Sequence, residues 1–153
     1  MRIKVLVSVA LVAATAVAGL AYAQTVTDPI AVRKAIMRSN GASVGAINAM
    51  LMPGATYDAA AATAALTTIA GNMVRFPALF PEGSQTGGTP PTRALPAIWA
   101  NMADVQARAA KLSADAATAA NAAADGVESL RAAMAAVSPN CGGCHQLYRG
   151  PAA

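Results

Sequence analysis

The chain has 153 residues, 56% of them hydrophobic, with 11 Lys and Arg against 7 Asp and Glu. This excess of positive charge is small, and the basic residues are scattered without interleaved aromatic residues, which argues against nucleic-acid binding. The length suits one domain with one core. Abundant alanine and the lack of alternating β-branched runs predict an all-α fold.

Residues 1–23 have the features of a secretory signal peptide. Arg2 and Lys4 precede a long apolar stretch, and Ala-Tyr-Ala at residues 21–23 is a small-x-small cleavage site. A transmembrane anchor is the alternative, but the stretch is short beside the ~20 residues typical of a span. We therefore expect cleavage, export to the periplasm, and no membrane attachment of residues 24–153. Loss of the two basic residues lowers the formal charge from +4 to +2.

Two helices are predicted in the first half of the domain. Asp28 and Pro29 are a good N-cap and first helical residue, and this helix runs to about Leu51. The second helix begins after the N-cap Asp58 and ends near Arg75. Apolar residues recur at helical spacing along the first helix: Ile30, Met37, Val44, Ile47 and Leu51.

Two further helices follow a long connection at residues 76–95, which is rich in Pro, Gly, Ser and Thr. Because it exceeds ordinary loop lengths, it either wraps something or is a disordered surface loop. The third helix is predicted from Pro96 to about Ala124, and the fourth starts at Val127. Pro139 should kink or break this last helix shortly before Cys141. Long helices with one long crossover predict an antiparallel four-helix bundle over residues 24–153.

The sequence Cys141-Gly142-Gly143-Cys144-His145 contains both cysteines and the one histidine of the chain. C-x-x-C-H is the attachment signature of c-type haem. Two thiols on one helical turn can each form a thioether to a haem vinyl group, and the adjacent imidazole then binds the iron as proximal ligand. The motif therefore predicts one covalent haem c, attached through Cys141 and Cys144, with His145 as iron ligand.

Three other interpretations of the motif are weaker. A disulfide between Cys141 and Cys144 would be short and strained and would give His145 no role. A thioredoxin-type C-x-x-C belongs near a βαβ pattern, which this alanine-rich chain lacks. A tetrahedral zinc site wants four ligands, and these residues supply three.

The chain resembles the class II c-type cytochromes, which are cytochrome c′ and its low-spin, methionine-ligated relatives. The resemblance rests on a C-terminal C-G-G-C-H followed by Tyr148-Arg149, and on residues 33–37, 57–60 and 92–99. It extends over residues 24–153 and implies a four-helix bundle around covalent haem c. In this family the motif lies near the C-terminus, whereas class I cytochromes c carry it near the N-terminus.

The resemblance also implies roles for several charged and polar residues. Arg33 and Lys34 match first-helix positions that approach a haem propionate, and Thr92 and Arg93 lie where the long loop meets the propionates. Arg149 matches a basic residue beside the proximal imidazole. Met37 matches the distal position, where an apolar side chain crowds the iron in cytochrome c′ and a methionine binds it in the low-spin relatives. The sequence leaves both states of Met37 open.

Two functions follow from these two states. With Met37 bound, the protein is a periplasmic electron carrier that exchanges electrons with protein partners. With Met37 unbound, it is a five-coordinate cytochrome c′ that binds nitric oxide or carbon monoxide and protects against nitrosative stress. We expect no enzyme, because there is no second histidine, no Ser/His/Asp set and no paired carboxylates at a suitable spacing. The resemblance also predicts a homodimer through the first two helices.

Overall fold

The computed structural model describes residues 28–151, so the predicted signal peptide lies outside the described residues. This part of the chain is helical, with one isolated antiparallel bridge between Ala94 and Arg149 as its β-type pairing. The elements in order are α1 (Pro29–Met50), α2 (Ala59–Arg75), a 3-10 turn (Phe76–Leu79), α3 (Ala97–Ala100), α4 (Met102–Ala123) and α5 (Val127–Tyr148). No helix within residues 28–151 has the length and apolarity that crossing a membrane requires.

The first two helices begin where the capping signals predict. Asp28 Oδ1 accepts a hydrogen bond from the Ala31 backbone N–H at 2.9 Å, and Asp58 Oδ1 accepts one from Ala61 at the same distance. Each cap satisfies a donor that would otherwise lack a partner in the first helical turn.

The α2–α4 pair is the closest helix packing in the bundle. Ala116 and Ala119 on α4 are fully buried, and their small side chains let the two backbones approach. Thr63 Oγ1 donates to the Ala120 carbonyl at 3.3 Å and Ser113 Oγ to the Ala70 carbonyl at 3.0 Å, which makes the pair antiparallel.

The outer helices pack on this pair and scarcely on each other. α1 packs on α2 and α5 packs on α4, whereas α1 and α5 are not in close contact along the described chain. One polar link joins them, from Arg131 Nη2 to the Leu51 carbonyl at 3.0 Å. We call the end with this link the hairpin end, because the short connections at residues 51–58 and 124–126 lie there. The opposite end, which carries residues 76–96 and the C-terminus of α5, is the motif end.

The predicted third helix is interrupted, contrary to the prediction of one helix from Pro96 to Ala124. α3 ends at Ala100, Asn101 has φ −132° and ψ 39°, and α4 starts at Met102. The Asn101 side-chain amide donates to the Ala97 carbonyl at 2.9 Å. This side chain takes the acceptor that its own backbone N–H would use in a continuous helix.

The predicted break at Pro139 is absent, because α5 continues through it to Tyr148. Proline removes one backbone donor from the helix. The neighbouring Asn140 amide donates to the Ala136 carbonyl at 2.8 Å and to Asp115 Oδ2 on α4 at 2.7 Å. These side-chain bonds hold the helix in place beside the proline.

The long connection after α2 folds over the motif end and does not extend into solvent. Phe76, Leu79 and Phe80 are buried, and the Phe80 ring meets the Phe76 and Trp99 rings edge-on at centroid distances of 5.1 and 5.5 Å. The segment therefore wraps around the bundle, as the first of the two alternatives predicts.

Candidate haem site

The C-x-x-C-H motif lies on the last two turns of α5, which places its three reactive side chains on one helical face. Cys141 and Cys144 are half-buried, pack against the core and form no disulfide. Burial raises the pKa of both thiols, so they are protonated at neutral pH. No three His, Cys, Asp or Glu residues in the described part of the chain are grouped to hold a bare metal ion, so the zinc alternative finds no support.

The imidazole of His145 is held in its neutral form. Burial lowers its pKa, and the positive charges of Arg149 and Arg93 lower it further. A neutral imidazole keeps the nitrogen lone pair that a metal ligand needs. The residues around it line a cavity of about 360 Å³: Arg93, Gly142, His145, Gln146, Arg149, Gly150 and Pro151.

A short strand-like pairing closes this cavity on one side. The Leu95 N–H donates to the Tyr148 carbonyl at 3.0 Å, and the Gly150 N–H donates to the Arg93 carbonyl at 2.8 Å. Arg93 Nε also donates to the Gly150 carbonyl at 2.9 Å. Arg93 and Arg149 are therefore brought together beside His145, which their separation in sequence does not reveal.

Arg33 and Lys34 lie on α1 at the motif end of the bundle. Arg33 is only 4% exposed; its Nη1 donates to the Leu79 carbonyl and Ser84 Oγ, both at 3.0 Å, and its Nη2 to the Ser84 carbonyl at 2.7 Å. The guanidinium carbon also lies 4.6 Å from the Phe80 ring centroid. Lys34 Nζ donates to the Pro90 carbonyl. Both side chains thus hold the long connection on α1.

The four predicted propionate residues therefore do not form one cluster by their hydrogen bonds. Arg33 and Lys34 contact residues 79–90, whereas Arg93 contacts the C-terminal segment. Thr92 forms hydrogen bonds with the backbone of its own segment. Its N–H donates to the Gly87 carbonyl at 2.8 Å, and its Oγ1 accepts from the Ala94 N–H at 3.3 Å.

Met37 is half-buried on α1 and packs against the core. Asn40, about one turn after Met37 on α1, is engaged with α2. Its Oδ1 accepts from Asn72 Nδ2 at 2.8 Å, and its Nδ2 lies 3.4 Å from Met73 Sδ. The Asn40 side chain is therefore turned towards α2.

Hydrogen bonds between side chains also join α4 to α5, and the sequence did not predict them; we call this contact the tether. Asp104 Oδ2 accepts from Tyr148 Oη at 2.5 Å and from Arg108 Nε at 2.6 Å. These bonds lower the pKa of Asp104, with the Arg108 bond contributing most. Tyr148 follows His145 by three residues, so the tether fixes the turn that carries the imidazole. An Asp and an Arg at i and i+4 were visible in the sequence, but their tyrosine partner was not.

Comparison with known proteins identifies the family. A family model described as Cytochrome C′ matches residues 28–149. The chain belongs to the cytochrome c′ family. Its fold and its covalent haem c are those of the class II c-type cytochromes, as the motif and the resemblance predicted.

Two relatives illustrate the similarity. A cytochrome c-556 of Agrobacterium tumefaciens (strain II Chrys) is 42% identical over 117 residues, which cover 76% of this chain and 93% of the relative. A cytochrome c′ of Rhodopseudomonas palustris is 41% identical over 141 residues, which cover 92% of this chain and 94% of the relative.

Solved structures agree with this assignment. The structure of cytochrome c′ from Rhodopseudomonas palustris superimposes with a TM-score of 0.77 at 39% identity, covering 83% of this chain and 99% of that one. A cytochrome c′ described as having an unusual ligand-controlled dimer dissociation gives 0.73 at 31% identity, covering 80% and 95%.

The residues on α1 and α5 fit a covalently bound haem. Two unpaired, half-buried thiols and a neutral imidazole share one face of α5, which is the donor set that thioether attachment and iron ligation require. α1 and α5 do not pack on each other, and Met37 on α1 is only partly covered by protein.

Proposed function

We propose that the protein is an exported, periplasmic electron carrier of the cytochrome c′ family, in which Met37 would bind the haem iron in addition to His145. The observation that supports this most is the pair of half-covered faces on α1 and α5, two helices that scarcely touch. One bears Met37 and the other bears the C-x-x-C-H motif. The proposal assigns no catalytic residue.

Each residue has a distinct part in this proposal. Thioethers from Cys141 and Cys144 keep the cofactor attached, and His145 binds the iron from α5. The bound haem supplies a metal that gains and loses one electron. A Met37 thioether bound to the iron together with His145 would favour the reduced state and would keep the coordination unchanged between oxidation states, which suits electron transfer.

The optical spectrum of the purified ferrous holoprotein tests the ligation. If Met37 is bound, the α-band is sharp and does not change when carbon monoxide is added. We further expect Met37→Ala to become high-spin and to gain carbon monoxide affinity by orders of magnitude. Met50→Ala, which removes another half-buried methionine from α1, is the matched control and should leave the spectrum unchanged.

A broad, high-spin Soret band in the unmodified protein, shifting on addition of carbon monoxide, would contradict ligation by Met37. That result would favour the second candidate function, which is binding of nitric oxide or carbon monoxide. One observation supports it: the Asn40 side chain is turned towards α2, where its oxygen accepts from Asn72 and one N–H donates to Met73 Sδ. A distal face without a hydrogen-bond donor disfavours dioxygen more than the other two gases, since they need no donor. The two relatives described above differ by one percentage point in identity and carry the two different names.

Export and covalent attachment are tested together by mass spectrometry. The holoprotein should start at Gln24 and carry the added mass of one haem. Cys141→Ser with Cys144→Ser should abolish the added mass without changing the cleavage site. A polypeptide without added mass from a host competent in cytochrome c maturation would refute attachment at these cysteines.

We also propose that α1 and α2 form a homodimer interface. The ligand-controlled dimer of the structural relative described above supports this proposal by analogy. Sedimentation of the holoprotein should show a dimer, and a monomer at all concentrations tested would refute the proposal.

A further inference from the structure

Charge is unequally divided between the two ends of the bundle. The hairpin end carries Asp58, Asp125 and Glu128 against the single cation Arg131. The motif end carries three carboxylates, Asp28, Glu82 and Asp104. It carries twice as many cations: Arg33, Lys34, Arg75, Arg93, Arg108 and Arg149. Counting the side chains of residues 28–151 without the haem propionates, the protein thus has a positive pole at the end that carries the haem motif, although its overall charge is small.

Two of these cations stand apart from the others by their contacts. Arg33 is buried, Lys34 is engaged by the long connection, Arg75 donates to the side chain of Asn72, and Arg108 is paired with Asp104. By contrast, Arg93 and Arg149 are exposed and have no acidic partner within the described chain. They line the cavity beside His145, and Leu147 in the same turn of α5 is 48% exposed.

We infer that Arg93, Gln146, Leu147 and Arg149 form a docking surface for an acidic electron-transfer protein; we call it the cationic face. A positive pole at one end orients an acidic partner during approach and raises its association rate. Exposed arginines at the rim with an apolar side chain beside them match the composition of transient protein interfaces. The partner would then lie next to the iron ligand His145, so the electron crosses a short distance.

The inference rests on the proposed electron-carrier function and adds the chemistry of the partner to it. An electron passes from the reduced partner to the ferric iron, which leaves the partner oxidised by one electron and the haem ferrous. No proton or bond is exchanged. The negative surface of the partner and the cationic face need to approach only transiently.

Reduced plant-type ferredoxin, a small acidic protein, is a suitable probe for stopped-flow reduction of the ferric holoprotein. We expect a rate that falls steeply with ionic strength. In the double variant Arg93→Gln/Arg149→Gln, the rate at low salt should fall by about tenfold and lose most of its salt dependence. The control Lys111→Gln/Arg131→Gln removes the same charge away from this face and should change the rate less than about twofold.

A neutral quinol used as reductant in parallel separates two kinds of failure. If the protein exchanges electrons rapidly with the quinol, but both double variants react equally with ferredoxin, the cationic face is not the docking site. If reduction is slow with the quinol as well, the electron-carrier function itself fails and the inference fails with it. Because Arg93 and Arg149 lie beside His145, the reduction potential of each variant is measured by redox titration, and the ferredoxin rates are compared at equal driving force. Salt-sensitive binding of the holoprotein to phosphatidylserine vesicles, with no salt effect on ferredoxin, would assign the face to a membrane and overturn the inference.

Discussion

Arg33 shows how one buried residue fixes a long segment. Its guanidinium has no carboxylate partner in the described chain. It donates hydrogen bonds to the Leu79 and Ser84 carbonyls and to Ser84 Oγ. Desolvation lowers its pKa, and Asp28 opposes this weakly. The side chain still stabilises the fold, because it satisfies buried acceptors that no other group reaches.

Arg33→Gln should therefore lower the free energy of unfolding by about 2–3 kcal/mol, since it leaves buried carbonyls without a donor. Denaturant unfolding of the holoprotein measures this. Arg38→Gln, which removes an exposed arginine one turn further along α1, should change stability by less than about 0.5 kcal/mol. Equal effects of the two variants would show that the Arg33 contacts contribute nothing specific.

Asp104 gives the protein a stability that depends on pH. Hydrogen bonds from Arg108 and Tyr148 lower its pKa below the ordinary value of 3.8. A carboxylate with a depressed folded-state pKa stabilises the fold above its unfolded pKa, and this stabilisation disappears as the pH falls through the folded pKa. The loss therefore begins near pH 3.8 and is completed below it.

Asp104→Asn should consequently lower the melting temperature at neutral pH and lower it progressively less below pH 4. Thermal unfolding followed by circular dichroism across this range tests the expectation. Asp125→Asn is the matched control, because Asp125 makes no side-chain hydrogen bond within residues 28–151. A difference between wild type and Asp104→Asn that stays constant with pH would refute the assigned tether.

At the scale of elements, alanine sets the distance between α2 and α4. Ala116 has no exposed surface, and the neighbouring Ala117 faces solvent. Ala116→Leu should force the helices apart and cost about 1–3 kcal/mol. Ala117→Leu should remain within about 0.5 kcal/mol of wild type, because it adds bulk outside the interface. Chemical denaturation of both holoproteins measures the difference, and a tolerated Ala116→Leu would mean that the pair can adjust.

At the scale of the molecule, the bundle consists of an inner pair of helices, α2 and α4, and two outer helices, α1 and α5, that each pack on one helix of this pair. α2 and α4 bury each other, whereas α1 and α5 each have one close helical neighbour. A haem attached to α5 and covered by α1 would supply the missing contact between them. We therefore expect the cofactor to stabilise the outer helices more than the inner pair.

Hydrogen exchange of the haem-free Cys141→Ser/Cys144→Ser protein tests this expectation. Amides of α1 and α5 should lose protection relative to the holoprotein, and those of α2 and α4 should keep most of theirs. Conservative Ser113→Ala in the holoprotein is the control for a lost polar contact between α2 and α4, and should leave α1 and α5 protected. A uniform loss across all four long helices would contradict a division into inner and outer pairs.

Local signals in the sequence determined the starts of the first two helices and the cofactor. Asp28 and Asp58 specified two helix starts, since a capping side chain acts within one turn, and the C-x-x-C-H spacing carries its chemistry wherever the chain places it. Only the tertiary structure decided what lies beside the motif. The meeting of Arg93 with Arg149 and of Asp104 with Tyr148, and the use of Arg33 by the long connection, depend on segments 44 to 57 positions apart in sequence. Such contacts follow from how the helices pack together, which no local spacing encodes.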